Sequence, residues 1–228
     1  MAARPDIATI LGDLPSGLVY RASAPRERRA PLSTGLSALD RLLGGGWRSG
    51  HATILHSLAA SAPAGGSGLT TLALGTVGEA TRKGGMSAWF DPGNALDTES
   101  FRDAGLELAR ILWVRGPMTY PALQEGIERV LQSGGFMLVV ADLPGRIPPG
   151  RTASWVRLCR VVERTTSVLL FLDHGGSLVV PGSDRLDLPP LLGRWAEGGP
   201  GLLLGAQTEP RYDDGQIPIW IPALEEFL

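Results

Sequence analysis

From Leu32 onward the apolar positions alternate between helical and strand-like spacing. Leu36, Leu39 and Leu42 line one side of a short helix, and after the Gly44-Gly45-Gly46 turn the run from Ala52 to His56 reads as a strand. Residues 57–68, rich in Ala, Gly, Ser and Pro, form a loop, and Leu69-Thr70-Thr71-Leu72 opens a helix on which Leu72, Val77 and Ala80 keep the spacing. Ser87 to Asp91 is predicted as a strand, Ser100 to Leu106 as a helix and Ile111 to Val114 as another strand. Leu123, Ile127, Val130 and Leu131 share one face of a helix over Tyr120–Gln132, and the wholly apolar run Phe136 to Ala141 suits a strand covered on both faces. Trp155, Leu158 and Val162 stripe a further helix before the apolar strand Val168 to Leu172, which ends in Asp173 and His174. Leu202–Leu204 and Ile217–Ile221 read as short strands that finish the sheet by a hairpin.

Strands alternating with helices predict an α/β fold with a mostly parallel central sheet flanked by helices. Ligands in such sheets bind at the carboxyl ends of the strands, so Asp91, Asp142, Asp173 and His174 are expected to cluster near the loop at 65–71. The sequence divides into an N-terminal arm and linker over residues 1–31 and a core over 32–228 that includes the C-terminal strands. Within the arm, Ile7, Ile10, Leu11 and Leu14 share one side of a short helix over Pro5–Leu14, closed by Pro15, and the stretch Arg21 to Pro31 is a basic connector.

A chain of 228 residues can enclose a full hydrophobic core, and 43% apolar with 19% charged residues is a globular balance. The formal net charge of -2 argues against wrapping nucleic acid by counterion release, so DNA contact is expected to be weak or indirect. Local basic groups, Arg26, Arg28 and Arg29 with the Arg146/Arg151 loop, keep a DNA-binding module as a rival reading. The single cysteine, Cys159, lies in an apolar-periodic stretch with no nearby His and reads as a packing residue rather than a nucleophile. With no signal peptide and no apolar run long enough to span a bilayer, a soluble cytoplasmic protein without membrane contact is expected.

A working phosphate loop reads G-x-x-x-x-G-K-[ST]: backbone N–H groups ring the phosphates, Lys neutralises charge and the hydroxyl holds magnesium. The corresponding residues here are Pro63-Ala64-Gly65-Gly66-Ser67-Gly68-Leu69-Thr70-Thr71. Gly68 and Thr70 fit the pattern, with Gly65, Gly66 and Thr71 beside them, but the expected first Gly falls at Ser61, Ala62 or Pro63 and Leu69 stands in the Lys position. A leucine cannot neutralise a triphosphate, and charged oxygens beside it lose water without gaining a partner. Weak ATP binding or none is expected, and alone such a loop reads as a flexible turn.

The surrounding residues resemble bacterial RecA. They run Leu32-Ser33-Thr34-Gly35 to Leu39-Asp40, a Gly-rich turn, a strand, Gly68-Leu69-Thr70-Thr71-Leu72, then Phe90-Asp91 and Asn94-Ala95-Leu96-Asp97. The resemblance implies a RecA-like P-loop core and places Gly93 where RecA has the glutamate that polarises the attacking water. Asp142, after Met137-Leu138-Val139-Val140-Ala141, resembles the magnesium-side aspartate of a Walker B strand; a plain strand cap is the alternative. Asp173-His174 stand where the family has the Asn-Gln that senses the γ-phosphate, and His174 reads as structural. The DNA-gripping loops of RecA correspond to Pro144–Arg151 and Gly175–Asp187, both rewritten. With Lys and Glu both replaced, the resemblance implies a pseudo-ATPase: no catalytic residues, no metal and no nucleotide cofactor.

Over about residues 17–174 the chain is similar to the ImuA family, RecA-like accessory proteins of bacterial mutagenic translesion synthesis. That resemblance implies a non-catalytic component of the SOS response that binds ImuB, a polymerase homologue without polymerase activity, and RecA. It reaches an error-prone DNA polymerase through ImuB. Gly17-Leu18-Val19-Tyr20-Arg21 resembles the segment by which RecA protomers associate, so Leu18, Val19 and Tyr20 are candidates for RecA contact or self-association, or for covering their own core. Ile219, Trp220 and Ile221, followed by Phe227, form a candidate ImuB contact or a last core strand. The alternatives are an SOS cell-division inhibitor that binds FtsZ and an ATP-dependent RecA paralogue.

Overall fold

The protein is described from a computed structural model over residues 29–58, 67–97, 101, 106–143, 152–175, 178–196 and 203–223. The helix expected over Pro5–Leu14, most of that over Ser100–Leu106, residues Leu18–Tyr20, Gly65, Gly66 and Phe227, and the loop carrying Arg146 and Arg151 lie outside these residues.

Strands that are apolar at nearly every position need cover on both faces, and the two that most need it lie together inside the sheet. They are β4 (Phe136–Leu143) and β5 (Val168–Asp173), paired in parallel from Leu138↔Val168 to Leu143↔Asp173. β5 continues in parallel into β1 (His51–Ser57), and β4 into β2 (Met86–Asp91) and then β3 (Ile111–Arg115) at one edge. On the far side of β1 lies β6 (Asp184–Leu188), also parallel.

Side chains alternate across this sheet and build two cores. Val168, Leu170 and Leu172 face α1 (Ser37–Leu42) and α2 (Leu69–Arg82). Leu169 and Phe171 face α3 (Tyr120–Ser133) and α4 (Thr152–Val162), where Trp155 stands edge-on to Phe171 at 5.3 Å. Cys159 is buried in the second core, and burial pushes its thiol up to about 11, a packed and unreactive sulfur. α3 begins where Thr119 accepts a hydrogen bond from the Ala122 N–H, with Pro121 in its first turn.

Two expectations are corrected beyond β5. Residues 184–187, read as part of a rewritten loop, belong to β6, held at its start by Arg48 and His51, which both reach the Asp184 carboxylate. The strands expected at Leu202–Leu204 and Ile217–Ile221 do not finish the central sheet. They are β8 (Leu203–Thr208) and β11 (Ile219–Pro222), and with β7 (Leu192–Trp195) they form a separate three-stranded antiparallel sheet in the order β11-β8-β7. The central sheet ends instead in two short antiparallel strands, β9 (Arg211–Tyr212) and β10 (Gly215–Gln216). Alternation marks a strand but does not name its neighbour, which is why the assignment to a sheet failed.

The Leu32-Ser33-Thr34-Gly35 motif has a packing role. Leu32 and Trp47 exchange backbone hydrogen bonds, Asp40 accepts from the Ser33 hydroxyl and the Thr34 N–H, and the Trp47 indole donates to Thr76 on α2 at 2.9 Å. Gly46 allows this closure: its φ is +121°, and a Cβ there would stand 2.3 Å from the Leu32 carbonyl oxygen. Gly46→Ala is therefore expected to lower unfolding stability in denaturant by about 2 kcal/mol or more; an unchanged midpoint would contradict this account.

Candidate functional site

The carboxyl ends of β1, β4 and β5 and the first turn of α2 converge at one edge of the sheet, the place where open α/β folds hold ligands. Gly68 opens α2 in the left-handed region, at φ 71°, and Leu72 closes the first turn by donating to the Gly68 carbonyl. Leu69 is 1% exposed and belongs to the core with Leu72, Leu172 and Leu188. Ile221 and Leu191 place methyl carbons 3.1 and 3.2 Å from where a Cβ on Gly68 would stand. Hydrocarbon thus lines one side of the approach to the helix's first N–H groups, while Thr70 and Thr71 are half-buried.

The acidic residues at this edge are separated by the pleat. Asp91 and Asp142 share the parity of Trp89 and Val140, which face α2, whereas Asp173 shares that of Phe171, which faces α3 and α4. Asp91 is committed to its own turn: its carboxylate accepts from the Ala95 N–H at 2.9 Å, the Leu96 N–H at 3.0 Å and the Trp113 indole at 3.3 Å. Gly93 sits exposed on that turn.

Asp142 and His174 do meet, with Nε2 3.0 Å from Oδ1. Hydrogen bonding to Asp142 raises the His174 pKa above its ordinary value; burial opposes the rise, and the Asp142 and Asp173 charges reinforce it. Asp173 turns away to the other face, where its Oδ2 lies 3.1 Å from Nδ1 of His56 and accepts the Leu178 N–H at 2.8 Å. The expected four-residue cluster therefore resolves into one pair on the α2 side, one pair on the α3/α4 side, and an aspartate closing a turn. Among the described residues no group of three or more His, Cys, Asp or Glu side chains is placed to hold a metal ion.

Of the C-terminal candidates among the described residues, Ile219 and Ile221 are buried at 2% and 3% exposure and face the core, while Trp220, 38% exposed, offers itself to a partner. The sequence reading missed the His56–Asp173 pair and the placing of Leu191 and Ile221 against Gly68. Neither has a local signal: residues more than a hundred positions apart meet only once the sheet order is known. No helix among the described residues is long and apolar enough to cross a membrane.

Comparison with known proteins agrees with the fold. Residues 16–150 match the family described as the RecA N-terminal domain. The chain is 32% identical over 126 residues to Protein RecA of Prochlorococcus marinus (strain MIT 9211), covering 55% of this chain and 32% of that protein. It is also 32% identical over 135 residues to Protein RecA of Desulforapulum autotrophicum, covering 58% and 37%. The match thus spans about a third of the length of these relatives.

The His174–Asp142 pair makes stability depend on pH. Because the folded-state pKa is raised, the stabilisation is complete below about pH 6.5, the unfolded value, and is lost as pH rises through the folded pKa. Histidine NMR titration should place the His174 midpoint above 6.5, and Asp142→Asn should lower it; a wild-type midpoint at or below 6.5 would remove the pair's role.

Proposed function

Since the chain belongs to the RecA N-terminal domain family, we propose that it is a RecA-like protein that has given up nucleotide chemistry and works by binding other proteins. Its role in this reading is that of a non-catalytic accessory factor in SOS-induced mutagenic translesion DNA synthesis. Its partners are an ImuB-like polymerase homologue, RecA, and through ImuB an error-prone polymerase.

The observation that carries the proposal is the burial of Leu69. A lysine at this position of a phosphate loop reaches outward to the β/γ-phosphates, whereas Leu69 is packed inward, with Leu191 and Ile221 against the adjoining Gly68. Phosphate oxygens brought to this edge would be partly dehydrated by hydrocarbon, and Leu69 supplies no cation in return. Gly93 offers no carboxylate to activate water, and Asp91 and Asp142 are already engaged within the protein. Family membership alone would equally suit an ATP-dependent RecA paralogue; the packing at Leu69 favours the non-catalytic reading.

Protein contact also has a physical route. β3 is an edge of the central sheet, with Leu112 40% exposed, and an edge strand presents unpaired backbone groups to an incoming strand. In this proposal the Leu18-Val19-Tyr20 segment of one RecA-like protomer is the strand offered to another, which accounts for both RecA binding and self-association. Purified protein should retain ImuB and RecA in a pull-down, with Leu18→Asp and Tyr20→Asp each weakening RecA retention by about tenfold. Capture of neither partner would contradict the proposal, and capture of FtsZ in their place would turn the reading to division inhibition.

A further inference from the structure

The small sheet carries apolar surface that neither the core nor the nucleotide-like edge uses. Among the described residues β7 pairs with β8 on one side only, and all four of its residues are exposed, Leu192 at 73% and Trp195 at 58%. The Trp195 indole and the Leu203 side chain lie together over Gly193, at 3.3 and 3.4 Å from where its Cβ would stand. On the other face Leu192, Gln207 and Trp220 are direct cross-strand neighbours, giving a second row with an aromatic at its end. Both faces of this short edge strand thus carry exposed apolar side chains, with Arg194 beside Leu192 on one of them, and among the described residues no strand lies beside its outer backbone groups. Monomeric proteins blunt or cover such edges because they recruit other strands.

We propose that β7 is a docking edge for an extended acidic–apolar segment of a partner protein, added as a fourth strand beside Leu192–Trp195.

The choice of occupant rests on Arg194, in the middle of the strand. Among the described residues no carboxylate forms an ion pair with it. A second copy of this chain fits poorly: any two-fold antiparallel pairing of β7 with itself over three residues sets the two Arg194 side chains opposite or diagonal to each other, where like charges repel. A strand with a carboxylate facing Arg194 removes that penalty and gains an ion pair instead. Its apolar side chains would cover Leu192 on one face and Trp195 with Leu203 on the other, while its backbone fills the open ladder. The inference concerns a surface that the nucleotide argument does not touch and holds whether or not the chain binds ATP.

The test selects random eight-residue peptides by phage display against the immobilised full chain, then measures affinities of the synthetic peptides by fluorescence anisotropy. The expected winners alternate aliphatic or aromatic residues with at least one Asp or Glu. Their binding should weaken about tenfold or more in Arg194→Glu and in Leu192→Asn, and the Glu→Lys form of a winning peptide should bind Arg194→Glu better than it binds wild type. Thermal melting should be little changed in both variants, since both side chains are exposed. Winners lacking acidic residues, or affinities unaffected by both substitutions, would overturn the proposal. So would a wild-type dimer in gel filtration that Leu192→Asn dissociates, because the edge would then belong to a second copy.

Discussion

The packing of Leu69 beneath the opening turn of α2 is the contact on which the arrangement at the sheet's carboxyl edge depends. In a phosphate loop the strand, the loop and the helix are drawn together around an anion, with backbone N–H groups and a lysine supplying the attraction. Here β1 and α2 are joined through hydrocarbon. Full burial of a leucine side chain contributes about 1.5–3 kcal/mol, and Leu69 is buried within the same cluster as Leu55 of β1 and Leu172 of β5. The small sheet completes the cluster from the outside, since Ile219 and Ile221 enter it and Leu191 packs against it. The segment after β6 thereby becomes part of the same core.

The polar groups at the edge follow the same logic of internal satisfaction. A buried carboxylate needs partners, and each of the three aspartates finds them in the protein: Asp91 in two backbone N–H groups and an indole, Asp142 in His174, Asp173 in His56 and the Leu178 N–H. Among the described residues the buried Asp173 Oδ1 has no hydrogen-bond partner. The acidic groups at these strand ends are occupied with holding turns and loops. In the proposed reading, what the surface offers to partners lies at strand edges, β3 on the central sheet and β7 on the small one.

Much of the central sheet was legible because its strands have a single physical requirement, cover on both faces, and runs such as Phe136–Ala141 and Val168–Leu172 state it directly. The helices were legible through stripes such as Leu123, Ile127 and Leu131. The small sheet was not. Leu203–Thr208 and Ile219–Pro222 alternate as strands should, but which sheet takes a half-buried strand is decided by contacts distant in sequence. At the site, Leu69 was matched to the Lys position through the resemblance of the flanking residues to RecA, since the loop alone reads as a flexible turn, while its inward packing and the nearness of Leu191 needed the fold. Asp91, Asp142, Asp173 and His174 were correctly placed at strand ends and wrongly gathered into one cluster, because the pleat sends Asp173 to the opposite face.

In the proposed reading this edge no longer accepts a nucleotide, and calorimetric titration of the purified protein with ATP and magnesium, run beside the Leu69→Lys, Gly93→Glu variant, decides the point. The account predicts no measurable heat of binding for the wild type, and weak binding at most for the variant, because Leu191 and Ile221 still stand against Gly68. Micromolar binding by the wild type, accompanied by phosphate release, would contradict it and make the protein an ATP-dependent member of its family.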